Sequence, residues 1–311
     1  MNIAIIGAGL SGTNIYNLLK ENGNNVQIFE KARGSGGRCS TRYLNDKLID
    51  HGTPFFEAYD ENFINFCDKK VEKNILVKKE NRYYPLKGMN KLCSSMLDKD
   101  DFNKNTKIVS CKKIDDRWHL YDENGISYYP FDKLIITIPT PQILDLDIEL
   151  PFNIKKKLDS IKYGSIATLL LYSYTSKNIL NSKILNSSYF KKIVNNSLKY
   201  NYENFSSYVI HLDSTICSEQ NFSNTDEVKE FMLNKIYDVS GIKLEDNFHV
   251  MSHFWKYANV VNSIDEDYLY DEELSLGICG DFFKGNNLEG SYLSSKSLYN
   301  KEFNLVFDNL W

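Results

Sequence analysis

The chain has 311 residues, 42% hydrophobic and 25% charged, with a formal net charge of −4. That length suggests roughly two domains, and the composition is that of a globular protein able to bury a core without staples. Mild acidity with charges of both signs interspersed argues against nucleic acid as a partner, and no apolar run approaches the roughly 20 residues of a membrane span.

Residues 2–6 are a short apolar run ending at Gly7, and a helical pattern follows over 10–19. A turn cluster at 22–25 leads into an alternating strand over 26–30. Within this βαβ start, Gly7-Ala8-Gly9-Leu10-Ser11-Gly12 sits between strand and helix. The first glycine makes the tight turn, the second lets backbone approach a pyrophosphate, and the third permits close packing of helix on sheet. The helix N-terminus offers unpaired N–H groups to phosphate. Glu30 stands at the end of the second strand, where an acid accepts from an adenosine ribose. These features predict dinucleotide binding and leave FAD and NAD both open.

A glycine-rich loop runs over 31–42, and 48–50 reads as the end of a strand. Helices are predicted over 62–70 and 91–97. Strands over 107–112, 117–121, 126–130 and 133–138, with a turn at 122–125, predict an antiparallel flap. Pro139, Pro141 and Pro151 mark a domain crossing. A helix over 154–161 and a buried strand over 166–174 follow; the Asn-, Ser- and Lys-rich stretch 176–202 has no clear assignment. A strand over 208–212, helices over 225–237 and 290–300, and a strand over 276–279 complete the reading. Six cysteines (Cys39, Cys67, Cys93, Cys111, Cys217 and Cys279) form no CxxC pair. With an N-terminus that is itself a strand, they suggest free thiols in the cytoplasm.

After Glu30 the chain reads Lys31-Ala32-Arg33-Gly34-Ser35-Gly36-Gly37-Arg38-Cys39-Ser40-Thr41-Arg42. The glycines let backbone pass close to a ligand, and Arg38 supplies a fixed positive charge for phosphate oxygens. This segment resembles the FAD-dependent amine oxidase superfamily, and within it the renalase-like members. Asp50-His51-Gly52-Thr53-Pro54-Phe55-Phe56 is similar to a family block that runs beside the flavin ring, with Pro54 in place of a glutamine. Gly88-Met89-Asn90, His253-Phe254-Trp255-Lys256-Tyr257-Ala258, Gly277-Ile278-Cys279-Gly280-Asp281 and Leu288-Glu289-Gly290-Ser291-Tyr292-Leu293-Ser294 resemble further blocks.

The resemblance implies an α/β, FAD-binding Rossmann-like fold with a discontinuous second α+β domain holding a mixed sheet. The FAD domain would comprise 1–60, 103–144 and 274–311, and the substrate domain 61–102 and 145–273. It implies FAD as cofactor, held by Gly7, Gly9, Leu10, Ser11, Gly12, Glu30, Lys31, Gly37, Arg38, Cys39, His51, Gly52, Thr53, Val109, Gly280, Asp281, Glu289, Gly290 and Ser291. In such proteins the Asp281 position accepts from a ribityl hydroxyl, and Val109 backbone meets adenine. Candidates for the substrate side are His211, Trp255 and Tyr257. Lys199 and Lys256, the available counterparts of a flavin-facing lysine, read as solvent-exposed. No metal pattern is present; His249 and His253 lack the acid of an HExxH motif. The reaction implied is oxidation of a small molecule, a misreduced dihydronicotinamide dinucleotide or else an amine, with molecular oxygen as acceptor. Other readings are a desaturase of the same fold, a non-catalytic FAD-binding protein, and an NAD-dependent dehydrogenase. The last does not need the Gly-Gly-Arg loop or the distant Gly280-Asp281.

Overall fold

A computed structural model of the chain describes residues 1–179, 182–283 and 285–304; the expected cofactor-domain tail over 305–311 lies outside them. The first strand, Asn2–Ile6, is the centre of a six-stranded sheet. It lies parallel to Asn25–Glu30 on one side and Lys133–Ile136 on the other. Phe102–Lys104 and Leu276–Ile278 extend the sheet in parallel, and Leu269–Asp271 closes one edge antiparallel. Ile3, Ala4 and Ile5 are fully buried, as an apolar strand covered on both faces requires.

Alternation sends these side chains to two different cores. Ile3 and Ile5 pack with Ile15 and Leu19 of the helix Leu10–Glu21 and with Leu298 of the helix Leu288–Glu302. Ala4 and Ile6 face a second core with Trp118, Leu120 and Phe131 from the flap. That flap is a two-stranded hairpin, Ile108–Ile114 with Arg117–Asp122. The strand expected over 126–130 does not form; the stretch meets the hairpin through isolated bridges at Ser127 and at the following Phe131, and through the Tyr128 N–H, which donates to the Leu120 carbonyl. The Asp122 carboxylate accepts from the N–H groups of Asn124 and Ile126, holding the chain in a turn, and Pro130 has no N–H for a ladder. The helix expected over 91–97 ends at Ser94.

The second sheet runs in the order Phe190–Asn195, Ser206–Leu212, Lys162–Ser173, His249–Asn262. Every pairing in it is antiparallel, which corrects the expected mixed sheet. One face carries Ala167, Leu169, Leu171, Ile210 and Leu212 against the helices Ser214–Gln220 and Thr225–Ser240. On the other, Leu170 and Val209 pack on Ile49 of the small hairpin Thr41–Leu44/Lys47–Asp50. That second face therefore looks at the loop which leaves the hairpin at His51.

Candidate functional site

The parallel strands of the six-stranded sheet all end on one edge, the usual place for a ligand in an open α/β sheet. Gly7, Glu30 and Gly280-Asp281 lie at those ends, at the termini of Asn2–Ile6, Asn25–Glu30 and Leu276–Ile278. The three motif glycines differ in what surrounds them. A Cβ on Gly12 would sit 1.9 Å from the Gly7 carbonyl oxygen, so helix and turn are in direct contact there. A Cβ on Gly9 would meet nothing within 4 Å. Gly9 is also the N-cap of the helix beginning at Leu10, and no side chain caps that end. A helix end without a side-chain cap, beside open space, has the geometry that a phosphate requires.

Glu30 is buried, and its two carboxylate oxygens accept from the N–H groups of Ala8 (2.9 Å) and Ala32 (2.8 Å). It thus pins the glycine turn to the next loop, and each oxygen keeps a lone pair for a hydroxyl donor. Alongside opens a cavity of about 370 Å³ lined by Gly7, Phe29, Lys31, Val109, Ile138 and Tyr257, among others. Tyr257 therefore belongs to this cavity, edge-on to Tyr163 at 5.5 Å, and lies apart from the other two substrate-side candidates.

Two backbone segments run together further along the edge. The N–H of Thr53 donates to the Arg38 carbonyl (2.9 Å) and that of His51 to the Ser40 carbonyl (3.2 Å). Gly52 makes this approach possible, since a Cβ there would lie 2.0 Å from the Arg38 oxygen. Arg38 forms a bidentate pair with Asp281 at 2.6 and 2.7 Å, and also donates to the Ala258 carbonyl. Two residues expected to face the ligand separately are joined to each other, 243 positions apart in sequence. Cys39 is buried against Cys93, and that contact together with burial pushes its thiol well above the usual range. Gly37 lies against Gly9.

Asp50, not among the expected site residues, has a fully buried carboxylate. It accepts from the Thr41 hydroxyl (2.6 Å), the Met89 N–H (2.9 Å), the Lys199 ammonium (2.5 Å) and the Tyr200 hydroxyl. Lys199 also donates to the Pro54 carbonyl (2.6 Å). Its side chain is 10% exposed, which corrects the expectation of a solvent-facing lysine. Burial lowers its pKa, with Asp50 opposing that shift. The signal was present in sequence only as an isolated Lys in a polar stretch, with no period to reveal a distant buried acid. Lys256 is exposed.

At the joint between the second sheet and His51, histidines gather. The register sets Thr168 opposite both His211 and His253, so the three share one face. The Trp255 indole donates to the His51 carbonyl (3.3 Å). Trp255 stacks on the His51 ring at 5.5 Å, and His253 stands edge-on to His51 at 5.3 Å. Burial pushes His51 down to about 4, with His253 and Arg42 adding to the effect. His211 is likewise pushed to about 4, by burial and then Lys192.

The last helix closes the edge. Asn287 caps it by accepting from the Gly290 N–H (2.8 Å), and Glu289 turns away to accept from the Tyr59 and Asp60 N–H groups. The Ser291 carbonyl accepts from the Ser11 hydroxyl (2.9 Å), which ties this helix to the glycine-motif helix.

Residues 5–69 match the family model of an NAD(P)-binding Rossmann-like domain. Among solved structures, the chain is similar to a protein from Exiguobacterium sp. 255-15 assigned as a protoporphyrinogen oxidase, at 12% identity and a TM-score of 0.72, with 96% of this chain and 98% of that one covered. It is also similar to a CLA-producing fatty acid isomerase from P. acnes, at 11% identity, 97% and 98% coverage and a TM-score of 0.68. A cyclohexylamine oxidase from Brevibacterium oxydans IH-35A aligns at 10% identity, 95% and 97% coverage and a TM-score of 0.63. Likeness at these identities is likeness of fold. The chain therefore carries an NAD(P)-binding Rossmann-like domain within the fold shared by these three proteins.

Proposed function

We propose that this chain is an FAD-dependent oxidoreductase acting on a small molecule. The observation that carries this reading is the convergence, on one sheet edge, of the open Gly9 turn, an uncapped helix N-terminus, the Glu30 carboxylate and the neighbouring 370 Å³ cavity. These suit a pyrophosphate, a ribose and a nucleobase in sequence. The names of the similar oxidases support the reaction class. FAD, when bound, supplies a two-electron acceptor; the protein's part is to position and to tune. The helix beginning at Leu10 would hold phosphate, Glu30 a ribose hydroxyl, and the loop from Arg38 to Thr53 the segment nearest the ring. The positive end of the helix Leu288–Glu302 would favour negative charge on the reduced ring. His51, His253 and Trp255 form an aromatic wall on the side of the second sheet. The cofactor-holding part would comprise 1–60, 103–144 and the tail from 274, and the substrate part the remainder.

The finer reading is oxidation of misreduced dihydronicotinamide dinucleotides, with molecular oxygen as acceptor and hydrogen peroxide as by-product. The Gly-Gly-Arg-Cys-Ser-Thr-Arg, His-x-Trp-x-Tyr-Ala and Glu-Gly-Ser-x-Leu-Ser blocks support it. The similarity to a cyclohexylamine oxidase favours a second reading, oxidation of an amine. An anaerobic titration of the purified protein, followed by visible absorbance, decides between them. Rapid bleaching of a bound-flavin spectrum by dihydronicotinamide isomers, reversed by air with release of peroxide, is expected. Bleaching by amines alone supports the second reading, and a protein that takes up no FAD refutes both.

A further inference from the structure

Buried polar atoms without partners are unevenly spread. Eight buried side-chain atoms among the described residues have no hydrogen-bond partner. Six of them belong to Arg42, His51, Thr168, Asn196, Ser207 and His211, all at the joint between the second sheet and the Thr41–Leu44/Lys47–Asp50 hairpin; the other two belong to Arg117 and Thr140. Each such atom costs about 1–3 kcal/mol when left unpaired, so a cluster of them in a folded protein requires an account. Thr168 is fully buried, His51 is 7% exposed and His211 8% exposed. Arg42, His253 and Trp255 are half-buried and form a rim to the same joint.

The chemistry of these atoms is selective. His211 Nε2 is buried and has no partner. A neutral imidazole that donates through one nitrogen offers a lone pair on the other. Thr168 Oγ1, directly across the strands, can donate or accept. The fixed charges acting on the three histidines are chiefly positive: Arg42 on His51 and His253, and Lys192 on His211. The acid nearest His51, Asp50, is engaged by Lys199 and Tyr200.

We infer that this joint is a binding site for the polar group of the substrate, that the group carries both an oxygen and an N–H or O–H, as a carboxamide does, and that ammonium groups are rejected there. His211 Nε2 accepts the substrate's proton donor, Thr168 Oγ1 pairs with its oxygen, and Arg42 and Lys192 keep cations out. This rests on the reading of the chain as a small-molecule oxidoreductase and narrows its substrate.

The test uses the purified protein with its flavin content measured, and a matched pair of probes, benzamide and benzylamine. Imidazole nitrogen resonances, with His211 assigned from a His211→Gln variant, report contact independently of turnover. Benzamide is expected to shift the His211 signal and to bind at least tenfold more tightly than benzylamine. Its affinity should fall by roughly three- to tenfold in His211→Gln and in the near-isosteric Thr168→Val, the worth of one hydrogen bond. Arg42→Gln combined with Lys192→Gln should raise benzylamine affinity. Circular dichroism identifies any variant that has lost its fold, and Thr168→Val keeps the test standing if His211→Gln does not fold. Equal binding of the two probes, or benzamide binding that leaves His211 unmoved, overturns the inference. A flavin-free protein in which benzamide still shifts His211 upholds the site and overturns the redox reading alone.

Discussion

Gly9 and Gly12 are three positions apart, and the structure gives them opposite demands. At Gly12 the missing Cβ is space already filled by the Gly7 carbonyl, so Gly12→Ala forces helix and turn apart and should cost several kcal/mol, in the manner of overpacked core sites. At Gly9 the space is open and the backbone lies at φ −76°, which alanine adopts freely. Gly9→Ala should leave the thermal midpoint of the flavin-free protein within about 2 °C, a shift worth a few tenths of a kcal/mol, while abolishing FAD uptake. Thermal melts with and without added FAD check both, and a Gly9→Ala protein that retains flavin would remove the pyrophosphate from this turn. This distinction was legible in sequence, because a GxGxxG motif between strand and helix assigns each glycine its own role. Lys199 was not legible: burial of a lysine depends on where its carboxylate partner folds, and Asp50 is 149 positions away.

At the scale of one element, the strand Lys162–Ser173 shows how a single face acquires a property none of its residues has alone. Its even-numbered members Thr168 and Leu170 sit opposite His211 and Val209 on one neighbour, and His253 and Met251 on the other. The sequence revealed the apolar run but not these partners, since register is fixed by pairing across long separations. The consequence is a row of neutral imidazoles with a measurable pH signature. In the unfolded chain His51 and His211 titrate near 6.5; folded, both are pushed to about 4. Between those values the unfolded chain binds protons that the folded chain does not, so stability falls as the pH drops. The contribution is complete above about pH 6.5 and is lost progressively toward pH 4, on the order of 2 kcal/mol per imidazole by pH 5. Urea midpoints at pH 7 and pH 5 measure it. His253 is lowered by burial as well, so His211→Gln should remove part of the dependence and leave the rest to His51 and His253, and an unchanged slope would show that His211 is not buried as a neutral base.

Across the whole molecule, segments distant in sequence meet through buried charge as well as apolar packing. Arg38 and Asp281 bind the first loop to the last strand, and Asp50 with Lys199 and Tyr200 binds the small hairpin to the second sheet. The edge of the six-stranded sheet was readable from its local motifs, whereas this junction draws on segments that carry no motif. Its energetics follow from the burial of Asp50, whose side chain is 0% exposed. A carboxylate taken out of water is tolerable only while its cation and hydrogen-bond donors are present. Lys199→Met keeps the aliphatic volume and removes the charge, leaving Asp50 uncompensated, and should cost about 3–5 kcal/mol. Asp50→Asn in the same chain removes the stranded charge while keeping an oxygen for the Thr41 hydroxyl and Met89 N–H. The double variant should therefore recover most of the loss, giving a coupling energy well above the half kilocalorie or so typical of independent sites. The same cycle reaches the site, because Lys199 also holds the Pro54 carbonyl, next to the segment that pairs with Arg38. If Lys199 only stabilised the fold, the double variant would regain both stability and FAD affinity. If it also positions loop 51–54, stability returns while the flavin is held more weakly and its absorbance maximum shifts. Additive single effects, with no recovery in the double variant, would mean that the hairpin and the second sheet are held together by apolar packing alone.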